Sequence, residues 1–527
     1  MLRVLIADKI ADEGINYLRK MGADVEVKRL SHEELKGVIG KYDAVIIRSA
    51  TKIDREILKA SQPRLKVVGR AGVGVDNIDI DEATRIGVLV LNSPYSNTVT
   101  TAELTIAHIF SISRKIPQAY CSMKAGKWEK KKFMGSELCG KTLGIVGLGR
   151  IGRYVAKLAN GIGMKVVGYD PFANIKEETY IKIAKELKDL IKEADIITIH
   201  VPLNKDTYHM IGKEEFKHMK DGAIIVNCAR GGIVDEKAAL EALKSGKLAG
   251  ISLDVFEEEP PPLNELISHP DVITTPHIGA STVEAQRNVS LEVAEQVWLA
   301  LNDKPVRTAI NMPISSIKEF DILKEHISLA ETMGKFVHQT SSIGLKGIEF
   351  EYSGLLVDYN TTILTASFLK GLLSPIVAGN VNYINAISIA RERGITIKET
   401  KGGRDYGLKN LICVKLNTTN PIKEIGGSIL PSKEMRIAVL NGYRVNMEPN
   451  GYILLTKHLD EPGIVGKIGT VLGDNNINIA SLQLARSKPR EEAIMLMSVD
   501  EEVKEDVLSK ISKINGIEYV KFINLTG

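Results

Sequence analysis

Short apolar runs alternate with amphipathic segments through the first hundred residues of the chain. Four runs rich in Val, Ile and Leu predict strands: Leu2–Ala7, Ala44–Arg48, Leu65–Arg70 and Val88–Asn92. The segment Ala11–Met21 between the first two runs has a helical apolar face and is followed by Gly22. Strands that are apolar on both faces and alternate with helices are typical of βαβ units around a parallel sheet.

A second series of the same kind begins at Thr142. Its predicted strands are Thr142–Gly147, Lys165–Asp170, Asp195–His200, Ala223–Asn227, Ile251–Val255 and Val272–Thr275. Long amphipathic segments flank the series, from Thr100 to about Ile116 and from Ser281 to about Leu301. We therefore predict two lobes separated by a cleft, with the second long helix returning the chain to the first lobe.

The pattern changes after Met312-Pro313. Mixed short apolar runs continue to about Pro449 and predict a separate α+β domain, whereas Gly451–Gly527 follows the order β-α-β-β-α-β of the ferredoxin-like fold. The predicted fold class is α/β, with two Rossmann-like lobes built on parallel sheets, an α+β intervening domain and a ferredoxin-like C-terminal domain. The predicted domain limits are 1–97 with 283–313, 98–282, 314–450 and 451–527.

Composition excludes several classes of partner. The 527 residues carry a net charge of +4, and the densest basic cluster is Lys130–Lys132. So short a cluster predicts no nucleic-acid partner, although it is a candidate anion site. No apolar run approaches the ~18–20 residues of a membrane span, and the N-terminal run breaks at Asp8 before it could form a signal peptide.

The four cysteines are Cys121, Cys139, Cys228 and Cys413, and none stands at metal-ligand spacing. Free thiols in a protein of this length are typical of a reducing compartment. We therefore expect a cytoplasmic protein without a metal.

A glycine pattern between a strand and a helix predicts a dinucleotide site. Gly147, Gly149 and Gly152 form G-x-G-x-x-G, in which the glycines permit a tight turn, close approach of a pyrophosphate and close packing of helix on strand. Asp170 ends the next strand 18 residues after Gly152 (170 − 152), near the ~20 expected for a residue that binds the adenosine ribose. A carboxylate there accepts hydrogen bonds from a 2′-hydroxyl and repels a 2′-phosphate, so NAD is favoured over NADP.

A second glycine-rich stretch, Gly69–Asn77, is a rival for that site. Gly72 and Gly74 satisfy G-x-G, but Asn77 stands where a third glycine belongs. We interpret the stretch as a tight loop at a strand end in the first lobe. Such strand ends face the ligand crevice of an α/β protein, which makes this loop a candidate substrate site.

Polar residues follow three predicted strands of the second lobe: Arg230, the run Glu257–Glu259, and His277. Hydride transfer from a secondary alcohol needs a base for the hydroxyl proton, a cation for a carboxylate and an acidic partner for the base. These residues offer all three, although each alone is more often a surface arginine, a solvated turn or a loop histidine.

The motifs Gly140–Gly152, Asn227–Gly232, Leu253–Pro260 and Thr275–Thr282 resemble those of the D-isomer-specific 2-hydroxyacid dehydrogenases. Within that family the whole sequence looks most like the D-3-phosphoglycerate dehydrogenases of the long form, whose C-terminal domain is an ACT domain. The resemblance implies NAD-dependent oxidation of 3-phospho-D-glycerate to 3-phosphohydroxypyruvate, the first step of L-serine biosynthesis. It also implies a homo-oligomer, either a dimer or a tetramer.

The resemblance assigns roles at matching positions. His277 would be the acid–base, Glu259 its carboxylate partner, and Arg230 the residue that holds the substrate carboxylate and carbonyl. Contacts with the cofactor are implied for Gly147, Gly149, Arg150, Ile151, Gly152, Asp170, Val201, Cys228, Ala229, Asp254, Gly279 and Ala280, with Cys228 a packing residue and no nucleophile. Contacts with the substrate are implied for Arg48, Arg70, Gly72, Val73, Gly74, Asn97 and, from a neighbouring subunit, Lys130.

In the C-terminal domain, His458, Asp460 and Asn478 match positions that contact an amino-acid effector, which the resemblance identifies as L-serine. An assembly module that binds nothing is the alternative. For the whole protein, the alternatives are a dehydrogenase of glycerate, lactate or glyoxylate and an NAD-sensing binding protein. The sequence differs from the family at Lys130, where Arg is usual, and at Tyr95-Ser96, which replaces the middle of Pro-x-Gly-Asn.

Overall fold

The computed structural model describes residues 1–172, 178–314, 316–340, 344–377, 379–403, 406–486 and 488–526. Its first sheet has five parallel strands in the order β2-β1-β3-β4-β5. The strands are β1 (Arg3–Ile6), β2 (Asp24–Val27), β3 (Ala44–Ile47), β4 (Val67–Arg70) and β5 (Leu89–Leu91). Their helices are α1 (Asp12–Lys20), α2 (His32–Val38), α3 (Arg55–Ala60) and α4 (Ile80–Ile86).

The second sheet has seven parallel strands in the order β12-β11-β10-β9-β6-β7-β8. Its strands are β6 (Thr142–Val146), β7 (Lys165–Tyr169), β8 (Ile181–Ile183), β9 (Ile196–Ile199), β10 (Ala223–Asn227), β11 (Leu248–Leu253) and β12 (Val272–Thr274). The accompanying helices are α5 (Thr98–Ser113), α6 (Ile116–Lys124), α7 (Arg150–Gly161), α8 (Leu187–Glu193), α9 (Lys213–His218) and α10 (Glu236–Lys244). These two sheets confirm the predicted Rossmann-like lobes.

The long helix α11 (Val283–Leu301) returns the chain to the first lobe. It packs against α1 so closely that a Cβ on Gly14 would lie 2.5 Å from the carbonyl oxygen of Ser290, and the Ser290 hydroxyl accepts a bond from the Ala11 amide at 2.9 Å. The chain therefore crosses between the lobes twice, once before α5 and once before α11. The cleft lies between these crossings and the carboxyl ends of both sheets.

The intervening domain begins with a 24-residue helix, α12 (Ile317–Thr340). Its other helices are α13 (Thr362–Leu373) and α14 (Ala386–Glu392), and its sheet runs in the order β14-β13-β15-β16-β17-β18. The strands are β13 (Gly347–Tyr352), β14 (Thr396–Lys401), β15 (Ile412–Asn417), β16 (Glu424–Ile429), β17 (Met435–Leu440) and β18 (Tyr443–Met447). Only the β13–β14 pair in this sheet is parallel, as expected for an α+β domain.

The C-terminal domain has the predicted β-α-β-β-α-β order and an antiparallel sheet, β20-β21-β19-β22. Its elements are β19 (Gly451–Leu459), α15 (Ile464–Gly473), β20 (Ile479–Arg486), β21 (Glu492–Val499), α16 (Glu505–Ser512) and β22 (Ile517–Leu525). Alternate residues of β19 face opposite ways: Leu454 packs with the two helices, whereas Ile453 and Leu455 join the core of the intervening domain. The intervening domain and the C-terminal domain thus share one apolar core.

The described elements match the predicted fold class, while the domain limits given above stay a prediction. Among the described residues, no helix is both long and apolar enough to cross a membrane.

Candidate active site

His277 and Glu259 meet at the carboxyl edge of the second sheet. The imidazole Nδ1 lies 2.7 Å from Oε2 of Glu259, and the two side chains are 46% and 37% exposed to the cleft. His277 occupies the left-handed region at φ 52° and donates its amide to Thr275 O at 3.0 Å, so a tight turn projects the ring. Because an ionised carboxylate can only accept, Nδ1 carries the proton and Nε2 keeps its lone pair.

Neighbouring groups stabilise the ionised form of Glu259. Burial alone would raise the pKa of this carboxyl, but the hydrogen bond and charge of His277 outweigh it, helped by the Phe256 amide at 3.1 Å. The net pKa of Glu259 lies below its ordinary value. The carboxylate is therefore an acceptor suited to orienting the imidazole and stabilising an imidazolium.

Asp254 shapes the loop that carries His277. It is fully buried, and its carboxylate accepts hydrogen bonds from Thr275 Oγ1 at 2.5 Å, the Ile278 amide at 2.8 Å and the Gly279 amide at 2.8 Å. The same threonine hydroxyl lies 3.1 Å from Nε2 of His108. His108 is buried, and this burial lowers the pKa of its imidazole. The structure thus gives Asp254 a positioning role that the sequence did not indicate, and its contact with a cofactor stays a prediction.

Three guanidinium groups gather where the lobes face each other. A Cβ on Gly74 would lie 2.2 Å from Nη2 of Arg230, and one on Gly72 would lie 2.3 Å from Nη1 of Arg70. The absence of a side chain at these two positions lets arginines of both lobes approach the loop. Burial, followed by repulsion from Arg230 and Arg48, lowers the pKa of Arg70 to about 10.

That cluster is a strongly positive site. Asp76 pairs with Arg230 at 3.4 Å, Nε to Oδ2, but its own side chain is 68% exposed and compensates the cluster weakly. A carboxylate or a phosphate would relieve the repulsion and could accept bidentate bonds from the guanidinium groups. Next to it, Arg48 lines a cleft of about 470 Å³ together with Ser281 and Thr282 of the second lobe.

Three further predicted substrate positions differ in their surroundings. In the described part of the protein, the buried Oδ1 of Asn97 accepts no hydrogen bond, which leaves it available to a ligand. The carbonyl oxygen of Val73 accepts a hydrogen bond from the side-chain amide of Asn92 at 2.8 Å. Lys130 lies on an exposed turn, Lys130–Phe133, and no ion pair of the described residues joins it to this site; the predicted contact from a neighbouring subunit stays a prediction.

The glycine-rich loop fits a dinucleotide. A Cβ on Gly152 would lie 2.0 Å from the carbonyl oxygen of Gly147, which itself has φ 95°, so helix α7 could not pack on β6 with any larger residue. A Cβ on Gly149, in contrast, would meet nothing within 4 Å. This open position at the start of α7 is where a pyrophosphate could approach the helix N-terminus.

The other predicted cofactor residues follow strands of the same sheet or lie on α7. The Asp170 carboxylate accepts hydrogen bonds from the backbone amides of Leu148 and Phe172, both at 2.9 Å. These bonds hold the carboxylate at the end of β7, beside the glycine-rich loop. Val201 packs beneath Gly147, 2.8 Å from the position of its absent Cβ. The remaining residues lie on the loops after β10 and β12 or on α7: Ile151, Cys228, Ala229, Gly279 and Ala280.

The Cys228 thiol is buried, and burial with the nearby Asp254 charge raises its pKa to about 12. A thiol that stays protonated is a packing residue and a poor nucleophile.

Family models match three parts of the chain. Residues 106–279 match the D-isomer specific 2-hydroxyacid dehydrogenase NAD binding domain, residues 322–441 the D-3-phosphoglycerate dehydrogenase intervening domain, and residues 452–516 the ACT domain. The D-3-phosphoglycerate dehydrogenase of Archaeoglobus fulgidus is 44% identical over 99% of this chain and 100% of its own. That of Methanocaldococcus jannaschii is 42% identical over 100% of both chains.

The chain belongs to the D-3-phosphoglycerate dehydrogenase family.

Solved structures show the same two-lobed fold in shorter proteins. The TT0316 protein from Thermus thermophilus is 32% identical with a TM-score of 0.55, and it covers 59% of this chain and 100% of its own. A glyoxylate reductase from Paecilomyes thermophila is 31% identical with a TM-score of 0.55, and covers 59% of this chain and 98% of its own. The NAD-binding family assignment agrees with the geometry of the glycine-rich loop described above.

Of the three predicted effector residues, Asn478 does not meet the other two within one subunit. His458 pairs with Ala493 near the end of β19, whereas Asn478 precedes β20 at the opposite end of the sheet, beside Val499. At ~3.3 Å per residue, the six residue steps of β21 from Ala493 to Val499 span about 20 Å. Asp460 lies at the His458 end, where its carboxylate accepts a hydrogen bond from the Arg486 guanidinium.

A cluster with metal-ligand chemistry lies beside the acidic segment of the site. His209, Asp235 and Glu257 present ligand atoms within 4.8 Å of one another. The two ring nitrogens of His209 already face carboxylates, Nε2 to Glu257 at 3.0 Å and Nδ1 to Asp235 at 3.8 Å. The cluster is thus satisfied as a histidine–carboxylate network, which sequence spacing did not indicate because its members come from three separate loops.

Proposed function

We propose that the protein oxidises 3-phospho-D-glycerate to 3-phosphohydroxypyruvate with NAD⁺, as the first step of L-serine biosynthesis. The observation that carries the proposal is the His277–Glu259 pair facing three clustered arginines, beside a loop that fits a dinucleotide. The names of the relatives in Archaeoglobus fulgidus and Methanocaldococcus jannaschii support the same substrate. A base, a polyanion site and a cofactor cradle are together what this reaction needs.

The protein's own groups divide the work as follows. Nε2 of His277 accepts the C2 hydroxyl proton, and the Glu259 carboxylate stabilises the imidazolium that forms. Arg230 binds the substrate carboxylate and carbonyl, while Arg48 and Arg70 hold the phosphate by charge-assisted hydrogen bonds. The loop Gly72–Gly74 and the Asn97 amide position the carboxylate end.

The glycine-rich loop and the N-terminus of α7 would hold the pyrophosphate of NAD⁺, and Asp170 the adenosine ribose. When bound, NAD⁺ supplies a hydride acceptor at nicotinamide C4.

The protein would form a homo-oligomer. Large apolar side chains are exposed along α5, α6 and the segment that follows: Phe110, Ile116, Tyr120, Met123, Trp128 and Met134. An apolar patch of this kind is typical of a subunit interface. A homodimer formed there, or a tetramer built from it, would bring Lys130 toward the neighbouring active site. The free thiols of the described residues support a reducing, cytoplasmic setting.

L-Serine is the effector we propose for the ACT domain. In the order β20-β21-β19-β22, strand β20 is an edge and has no partner on its outer side among the described strands. If two copies pair along β20 about a two-fold axis, the start of one strand meets the end of the other. Asn478 of the partner subunit would then approach Asp460, and the two halves of the effector site would come together at the seam.

The test of the activity is NADH formation by the purified full-length protein at pH 8–9, with 3-phospho-D-glycerate, D-glycerate and D-lactate compared. Turnover of the phosphorylated acid alone, abolished in His277→Ala, is expected. Preference for an unphosphorylated acid would overturn the phosphate assignment and leave a related dehydrogenase. Binding of NADH without turnover of any acid would favour an NAD-sensing protein instead.

A further inference from the structure

The segment that carries the chain from the first lobe to the second contacts the cofactor loop through an aromatic ring. The guanidinium of Arg150 lies over the Tyr95 ring, 4.1 Å from its centroid. Nη1 of the same arginine donates to the carbonyl oxygen of Pro94 at 2.9 Å. Arg150 starts helix α7, directly after the open Gly149. Two residues of the lobe crossing therefore hold an arginine at the rim of the dinucleotide site.

The backbone that carries the Tyr95 ring is tied to the other lobe crossing, and the two crossings together form the hinge between the lobes. The Ser96 hydroxyl donates to Oε2 of Glu292 at 2.5 Å, and the Tyr95 amide bonds the same carboxyl. Glu292 belongs to α11, the helix that begins at the second crossing between the lobes. Burial raises the pKa of this carboxyl. The two crossings are thus tied to each other through the backbone and the serine next to the ring.

The stack leaves the arginine able to bind phosphate. A guanidinium presents five N–H donors in its plane and two faces above and below it. Tyr95 occupies one face and Pro94 one donor, so donors remain for the oxygens of a pyrophosphate. A long side chain that is already held in one orientation loses less conformational freedom when its ligand binds.

We propose that Tyr95 is a positioning residue for the dinucleotide, which holds Arg150 in the orientation that meets the pyrophosphate and ties the glycine-rich loop to the hinge between the lobes. This inference deepens the proposed function and rests on its assignment of NAD to the glycine-rich loop. It gives a role to the Tyr95-Ser96 segment, in which Ser96 stands in place of the glycine of the family's Pro-x-Gly-Asn pattern.

The first test is the dissociation constant of NADH, measured by fluorescence on the full-length protein without any hydroxy acid. Tyr95→Ala is expected to weaken NADH binding about three- to tenfold, the size of an exposed to partly desolvated cation–π contact. Tyr95→Phe keeps the ring face and should bind NADH within about twofold of the wild type. Because Tyr95 is 52% exposed, both variants should keep the melting temperature of the parent; Tyr95→Leu is the replacement if the alanine variant does not.

A double-mutant cycle separates positioning from a direct contact or a general structural effect. In an Arg150→Ala background, Tyr95→Ala should cause no further loss of NADH affinity, since its only action is through Arg150. An equal loss in both backgrounds, or equal weakening by Phe and Ala, would overturn the proposal. So would unchanged affinity in Tyr95→Ala. Since no hydroxy acid is present, these outcomes do not depend on whether 3-phospho-D-glycerate is the substrate.

Discussion

The Glu259 carboxylate lies 2.7 Å from Nδ1 of His277, although the two residues follow different strands and stand 18 positions apart. The contact commits the imidazole to one tautomer and leaves Nε2 as the proton acceptor. The lowered pKa of Glu259 keeps this carboxyl ionised across the neutral and alkaline range. The pair is therefore a base with a permanent counter-charge.

Glu259→Gln tests that counter-charge. The amide preserves the size of the side chain but cannot stabilise an imidazolium, so kcat for hydroxy-acid oxidation should fall about 10- to 100-fold. The measurement is a pH–rate profile from pH 6 to 10. Glu258→Gln, an exposed neighbour in the same segment, is the control; equal losses in both variants would contradict the role of Glu259.

The arginine cluster predicts stabilisation by anions. Arg70, with its pKa lowered to about 10, stays protonated below that pH and repels its neighbours, so phosphate should raise the melting temperature by about 1–3 °C against chloride at equal ionic strength. The effect should hold from pH 6 to 9, because the guanidinium groups stay protonated throughout that range.

Arg70→Met should remove most of this shift in melting temperature. Arg19→Met makes the same change of charge in the exposed last turn of α1, at the opposite edge of the sheet, and should leave the shift intact. Retention of the full phosphate effect in Arg70→Met would show that the anion binds elsewhere.

Two of the three glycines of the cofactor loop predict different effects on folding for the same substitution. Gly149→Ala adds a methyl group into open space, so the protein should fold normally, with NADH binding weakened at least tenfold because the methyl group stands where the pyrophosphate approaches. Gly152→Ala forces a Cβ against the carbonyl of Gly147 and should lower the melting temperature as well. Calorimetry and NADH titration distinguish the two; normal NADH affinity in Gly149→Ala would place the pyrophosphate elsewhere.

The seam of the ACT domain predicts a response to L-serine. Millimolar L-serine should lower the rate of NADH formation or change its cooperativity, and Asp460→Ala should raise the half-inhibitory concentration at least tenfold. Asp506→Ala, on helix α16 next to β22 and far from the β20 edge, should respond as the wild type does. A flat serine titration, with no heat of binding, would reject the sensor and leave an assembly module.

The spacing of residues along the sequence was sufficient to predict much of the fold of this protein. The strands that enter the glycine-rich loop, the distance from Gly152 to Asp170 and the β-α-β-β-α-β order of the last domain are all written in consecutive residues, because each depends on a short stretch of backbone. Two of the four edge strands of the lobes are the exception. β2 (Asp24–Val27) and β8 (Ile181–Ile183) were not predicted, since polar residues interrupt their short apolar runs and most of their positions are not buried.

Tertiary structure alone decided the rest, because side chains from distant segments meet only when the sheets and the hinge are assembled. Asp254 turned out to fix the His277 loop, and Tyr95 was found against Arg150, 55 positions away. The fold also placed Asn478 and His458 at opposite ends of one sheet, which a linear motif cannot reveal. The sequence by itself determined which chemical groups the protein carries and the family to which they point. Only the packing of two lobes across a cleft decided which of those groups act on one another.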